Sequence, residues 1–191
     1  RQLLDPRFPV RQAAVWTLAE LHARSAAPQL LAQLPAVPAE SMIDAAWLAG
    51  EFADASLAPQ VTPLLAHGRP DVRASALWIL GRLRAAGTAG AVRPLLADAD
   101  PAVRAQAARA CGRLGKPGDG SGAALLALLA DPDAAVRYFA AAALGPLGEQ
   151  AAVPDLVRLL DDADTIQFVQ DNRQAEIASV RDAAMGALAT L

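Results

Sequence analysis

Asp131-Pro132-Asp133-Ala134-Ala135-Val136-Arg137, with Leu144-Gly145-Pro146-Leu147-Gly148 a few residues on, carries the pattern from which the chain is built. An Asp that can cap free N–H groups and a Pro that suits the first helical turn open a helix. Alanine carries it forward, because it loses no side-chain entropy in a helix. A Gly-containing turn ends it, and a second helix follows as Val153-Pro154-Asp155-Leu156-Val157-Arg158-Leu159-Leu160. The same order appears upstream, where Asp100-Pro101 leads to Val103-Arg104 and Ala107. There the preceding second helix reads Val92-Arg93-Pro94-Leu95-Leu96.

Working outward, the pattern recurs at a nearly fixed period. Leu34, Leu65, Leu96, Leu129 and Leu160 are spaced 31, 31, 33 and 31. Val10, Val72, Val103, Val136 and Val180 mark a helix start in each unit except the second, where Ser41-Met42 stands and an irregular start is expected. Nine positions after these markers stand Ala19, Gly50, Gly81, Gly112, Gly145 and Ala189. Within one helix, Val72, Ala76, Leu80 and Leu83 place an apolar stripe on one face. A single hairpin cannot bury such a stripe, so neighbouring hairpins must stack into a continuous core. The expected fold is all-α, a superhelical solenoid of about five helical hairpins plus a terminal helix, forming one domain over 1–191. Its units run over about 5–34, 36–65, 67–96, 98–129 and 131–160, with a partial unit over 162–191.

Composition agrees and narrows the chemistry. Apolar residues make up 54% of the 191, yet aromatics only 4%, which suits closely packed helices better than a sandwich of strands. The net charge of −3 argues against a nucleic-acid groove. Lys116 is the sole lysine beside sixteen arginines, a bias expected of a GC-rich bacterial genome. Cys111 is the only cysteine, so no disulfide can form within the chain, and a cytoplasmic location is expected. No apolar stretch has the length of a membrane span.

The chemistry-bearing residues are sparse. His22 and His67 are the only histidines, and neither sits in a metal-binding pattern. Gly118-Asp119-Gly120-Ser121-Gly122 lacks the Lys-Ser/Thr of a phosphate cradle, and no nucleophile elbow is present. Cys111 aligns with Leu80 and Leu144, which predicts a buried, inert thiol. No catalytic residue, metal or cofactor is assigned.

The Asp-Pro-x-x-Val-Arg opening, the Ala-rich helix, Leu-Gly-x-Leu-Gly and a Val-Pro-x-Leu second helix resemble HEAT repeats of the phycobilin-lyase type. The resemblance covers roughly residues 5–160 and resumes at Val180-Arg181. It implies the fold directly, whereas function varies widely among proteins built on it.

Trp16, Trp47 and Trp78 stand 31 residues apart, with Arg109 at the next step. In the resembled repeat this place, six after the Val, is an outward position near the core's edge. Stacking would set the rings about 10 Å apart, a helix-packing distance. Either they form an exposed ladder for a partner, Trp and Arg being enriched at binding hot spots, or each ring lies over small neighbours and fills a groove between repeats. The arginines of the Val-Arg pairs (Arg11, Arg73, Arg104, Arg137, Arg181) are expected to bond Asp residues and helix-end carbonyls of adjacent repeats. Asp71, Asp100 and Asp133 read as caps. Between Leu160 and Val180 lie 19 residues against 6 at earlier junctions, an insertion over 162–179. It reads as a loop, either merely tolerated or touching a partner through Ile166 and Phe168.

These readings favour a non-catalytic protein–protein scaffold or adaptor over an enzyme. Its partner would be another protein, with self-association through the open C-terminal end as a second route. A bilin-lyase-like or other ligand-binding accessory subunit is the alternative; Tyr138, Phe139 and the Trp column would then line its groove. A DNA glycosylase of the HEAT-like kind would need a basic face that the charge does not supply, and no nucleic-acid partner is expected.

Overall fold

The computed structural model describes Thr17, residues 24–169 and residues 175–191. Val10, Arg11, Trp16 and His22 lie outside the described residues, as does the 170–174 part of the insertion. The chain divides into two compact units, meeting in sequence between Thr88 and Ala89.

In the first unit, helix α1 (Ala27–Gln33) runs into a 3-10 turn at Leu34–Ala36. Helix α2 (Met42–Phe52) follows, then α3 (Ala58–Val61) and α4 (Pro70–Arg82). Helices α2 and α4 pack side by side as first helices of successive hairpins. The irregular start expected at Ser41 is present. A 3-10 turn at Ala39–Ser41 precedes α2, and the Ser41 side chain caps nothing. Val72, Ala76 and Leu80 are fully buried as the stripe demands, whereas Leu83 at the C-cap of α4 is half-buried.

The second unit repeats the arrangement. Helix α5 (Ala89–Val92) precedes α6 (Pro101–Leu114), and α7 (Ser121–Leu125) precedes α8 (Ala134–Leu144). Helix α9 (Val153–Arg158) leads through the insertion to α10 (Val180–Thr190). Helices α6, α8 and α10 stack in that order. Second helices are short and tighten into 3-10 turns, as at Thr62–Ala66 and Arg93–Ala97. Pro63 and Pro94 have no N–H for the i→i−4 ladder, which favours the tighter winding. Leu126–Ala130 winds the same way without proline, so proline reinforces this ending and is not its sole cause.

The small residues nine after each marker explain how the first helices come so close. A Cβ built on Gly112 would lie 2.7 Å from Ala143 Cβ and 3.1 Å from its Cα, and one on Gly145 would meet Thr190 Oγ1 and Ala187 Cα. On Gly50 it would lie 2.6 Å from Trp78 Cζ3. Only glycine lets these helices approach without displacing backbone or a ring.

The insertion corrects one expectation. It is an antiparallel β-hairpin, β1 (Thr165–Val169) with β2 (Ala175–Ser179), paired from Thr165 opposite Ser179 to Val169 opposite Ala175. Period-two alternation holds it in place: Ile166 is buried and Phe168 half-buried, while Thr165 and Gln167 face water. The hairpin closes through Val180 N–H donating to Asp164 O at 3.1 Å, and the Ser179 hydroxyl caps α10 by accepting from Asp182 N–H.

Candidate functional site

Two clusters hold the aromatic and cationic side chains that the sequence singles out, one in each unit. In the first unit, Trp47 on α2 and Trp78 on α4 are both half-buried at the edge of the core. The Trp78 ring lies against Gly50, one turn beyond Trp47, so this ring fills the space between neighbouring helices. The Arg82 guanidinium stands 5.6 Å from the centroid of the Trp78 ring and pairs with Glu51. One turn before Trp47, Ile43 is 73% exposed. Residues four apart share a helix face, so Ile43, Trp47 and the Trp78 ring form one apolar strip along α2.

In the second unit, Arg109 on α6 and Phe168 on β1 come together, although they stand 59 positions apart in sequence. The Arg109 guanidinium lies 5.4 Å from the Phe139 ring centroid and 5.8 Å from that of Phe168. Tyr138 meets Phe139 edge-on at 5.1 Å, and Phe168 sits 5.4 Å from both rings. Such edge and tilted contacts set the positive rim of one ring against the negative face of another. Burial, with the Glu176 charge adding to it, holds the Tyr138 phenol above its ordinary range, so the ring stays neutral. Ile166 turns into the protein beside this cluster's strand and is 8% exposed.

A third column ties repeats together. Arg104 donates from Nε and Nη2 to the Asp131 carboxylate at 2.8 and 3.0 Å, and from Nη1 to the carbonyls of Asp98 and Ala99. Arg137 repeats this one unit later. Its Nε meets Asp162 at 2.8 Å, its Nη2 meets Asp164 at 2.5 Å, and its Nη1 reaches the carbonyls of Asp131 and Pro132. Arg73 Nη1 donates to the carbonyls of His67 and Gly68, and Arg181 Nε to that of Leu160. The bidentate fork suits this double duty, which a lysine could not perform. Asp131 loses hydration on burial, which raises its pKa, but the Arg104 fork and the Asp133 N–H outweigh that and leave the carboxyl below its usual range. Asp162 behaves the same way beside Arg137.

Asp100 and Asp133 cap their helices as read, each accepting from the second and third N–H groups. Asp71 lies inside the first turn of α4, one residue past its start, where its carboxylate accepts from the Val72 N–H at 3.0 Å and also receives Arg69 Nε at 3.1 Å and Nη2 at 2.5 Å. The hydrogen bond from Arg69 holds the Asp71 carboxyl below its ordinary range. Arg69 also bonds the carbonyls of Pro35 and Val37 from the turn one repeat earlier. Sequence reading missed Asp131, Asp162 and Arg69 as specific partners. The signal was present in Asp98-x-Asp100, Asp131-x-Asp133 and Asp162-x-Asp164, where the first Asp of each pair serves a side chain or turn and not the helix end.

Cys111 is fully buried, and burial pushes its thiol up to about 12. Among the described residues, no group of three or more His, Cys, Asp or Glu side chains could hold a metal ion, and no helix is long and apolar enough to cross a membrane.

Comparison with known proteins agrees with this geometry. The chain resembles an engineered protein with 20% identity and a TM-score of 0.63, over 99% of this chain and 93% of that one. It also resembles a designed armadillo repeat protein solved with the peptide (KR)4, at 19% identity and a TM-score of 0.59, covering 99% and 96%. The CpcE–CpcF complex of phycocyanin lyase from Nostoc sp. PCC7120 matches at 23% identity and 0.52, covering 99% and 79%. No curated protein matches in sequence. The family model for PBS lyase HEAT-like repeats matches residues 10–34. The model for HEAT repeats matches residues 58–121 and 89–178, more than half of the chain, in the region where the stitched, glycine-spaced hairpins stack. This chain therefore belongs to the HEAT-repeat family.

Proposed function

We propose that the protein is a non-catalytic scaffold that holds another protein, with the Ile43–Trp47 face of α2 as an anchor. The observation carrying this is Ile43, a large aliphatic side chain left 73% exposed one turn from a half-buried tryptophan. An aromatic side chain beside an exposed aliphatic one is the usual make-up of an interface centre. Support comes also from two fold relatives, one solved with a peptide and one as a complex of two subunits.

The test is affinity capture with the wild-type chain and with Ile43→Glu and Trp47→Gln variants. Ile43→Glu is expected to shift stability by no more than about 0.5 kcal/mol, as an exposed position. Proteins captured by the wild type should be lost from both variants while thermal unfolding of Ile43→Glu stays unchanged. An identical captured set from folded Ile43→Glu rejects this face as the anchor.

A bilin-handling accessory role is the second reading, favoured by Arg109 set among Tyr138, Phe139 and Phe168, an arrangement that suits a planar anionic ligand. A bilin mixed with the protein should then shift its visible absorbance, and Arg109→Gln should reduce that shift. An unchanged spectrum rejects this role.

A further inference from the structure

The inserted hairpin carries an open edge whose hydrogen-bonding groups can be assigned. Val180 N–H donates to Asp164 O, in the same register that pairs Thr165 with Ser179. Bonded and non-bonded pairs alternate along an antiparallel ladder, so Ile166–Ala178 and Phe168–Glu176 are the pairs that exchange hydrogen bonds. Gln167–Ile177 is then a non-bonded pair, and the backbone N–H and C=O of Ile177 point away from β1, as do those of Ala175. Among the described residues, no third strand joins the hairpin and no other backbone group meets this part of β2. The Ile177 side chain is 77% exposed. On β1 the matching place belongs to Gln167, a polar residue, and β1 packs on α8. Natural edges are blunted by Lys, Pro or a bulge, yet Ala175-Glu176-Ile177-Ala178-Ser179 has neither residue and pairs without a bulge.

We propose that β2 pairs with β2 of a second copy of this chain, antiparallel about Ile177, so that two hairpins form one four-stranded sheet. A two-fold interface requires each residue to suit the one it meets. In this pairing Ile177 meets Ile177 of the second copy, Glu176 meets Ala178, and Ala175 meets Ser179. The apolar side chain faces its like and the two carboxylates are never directly opposed, so the strand is complementary to itself. The outward N–H and C=O of Ile177 place this central pair among the bonded ones, where both backbone hydrogen bonds are exchanged. This surface is separate from the Ile43 anchor, and either can hold without the other.

Sedimentation equilibrium of the full chain from roughly 10 μM to 1 mM, the range of a small transient interface, should show a monomer–dimer equilibrium. Ile177→Lys sets like charges opposite one another and should weaken the dimer about tenfold or more, with thermal unfolding unchanged at this exposed position. Cα atoms of a bonded pair lie about 5.5 Å apart, within the span of a disulfide. Ile177→Cys should therefore cross-link into a covalent dimer under mild oxidation, while Gln167→Cys on the other edge should not, the native Cys111 being buried in both. A monomeric mass over the whole range overturns the inference. So does a dimer that Ile177→Lys leaves intact, or cross-linking that is as efficient through Gln167→Cys.

Discussion

At the scale of single residues, the sign of a glycine substitution depends on what lies opposite it. Gly112 faces the backbone and Cβ of Ala143 at 3.1 and 2.7 Å, so a methyl group there must push two helices apart. Gly186 on α10 has nothing within 4 Å of a built Cβ. Alanine gains about 1 kcal/mol of helix propensity over glycine at either site. At Gly186 that gain stands alone, and urea unfolding of Gly186→Ala should show stabilisation of about 0.5–1 kcal/mol. At Gly112 the overpacking outweighs it, and Gly112→Ala should be destabilised by about 1–3 kcal/mol. Cys111 gives a second check. With its thiol pushed up to about 12 by burial, it should resist a soluble thiol reagent in the native protein and react at once in denaturant. Rapid native labelling would mean that the helix around it opens freely. Both positions could be read in the sequence as small or aligned with core leucines, but the glycine's opposite neighbour could not.

Among elements, the hairpin and the Arg–Asp stitches are where tertiary contacts matter most. Phe168 joins β1 to α8 through Tyr138 and Phe139, and the Arg109 guanidinium lies over it. A lone two-stranded hairpin is marginal in water, so its order depends on this docking and on Arg137 holding Asp162 and Asp164. Phe168→Ala should raise amide exchange across β1 and β2 at least tenfold while that of α6 stays unchanged. Equal protection in the variant would show that the stitch alone suffices. The alternation in Thr165-Ile166-Gln167-Phe168-Val169 was a legible strand signal. It was masked by the length arithmetic, which marks an insertion but says nothing of its conformation. Phe168's partners were not legible at all, because a residue 59 positions from Arg109 meets it only through stacking of helices.

Across the whole molecule, acid should act unequally on the two units. Among the described residues, Asp71 in the first unit, and Asp119, Asp131 and Asp162 in the second, have folded pKa values below their ordinary range. A carboxyl depressed by folding contributes stability that is complete above its unfolded value of about 4, and that contribution is lost as pH falls through the folded value. Stability should therefore be flat from neutrality to about pH 5 and fall below about pH 4, with amide protection dropping further in the second unit. Asp131→Asn should flatten part of that fall, because the group that would have been protonated is gone. Equal acid sensitivity in both units would contradict the assignment. The period of 31, the Asp-Pro openings and the Val-Arg pairs determined the repeat from the sequence alone, because capping, helix propensity and stripe spacing are local and recur with each unit. What the sequence left undecided was which member of Asp131-x-Asp133 stitches and which caps, whether the insertion folds, and what covers the Trp78 ring. Those depend on atoms from a neighbouring repeat coming within van der Waals or hydrogen-bond distance, and only the stacked structure brings them there.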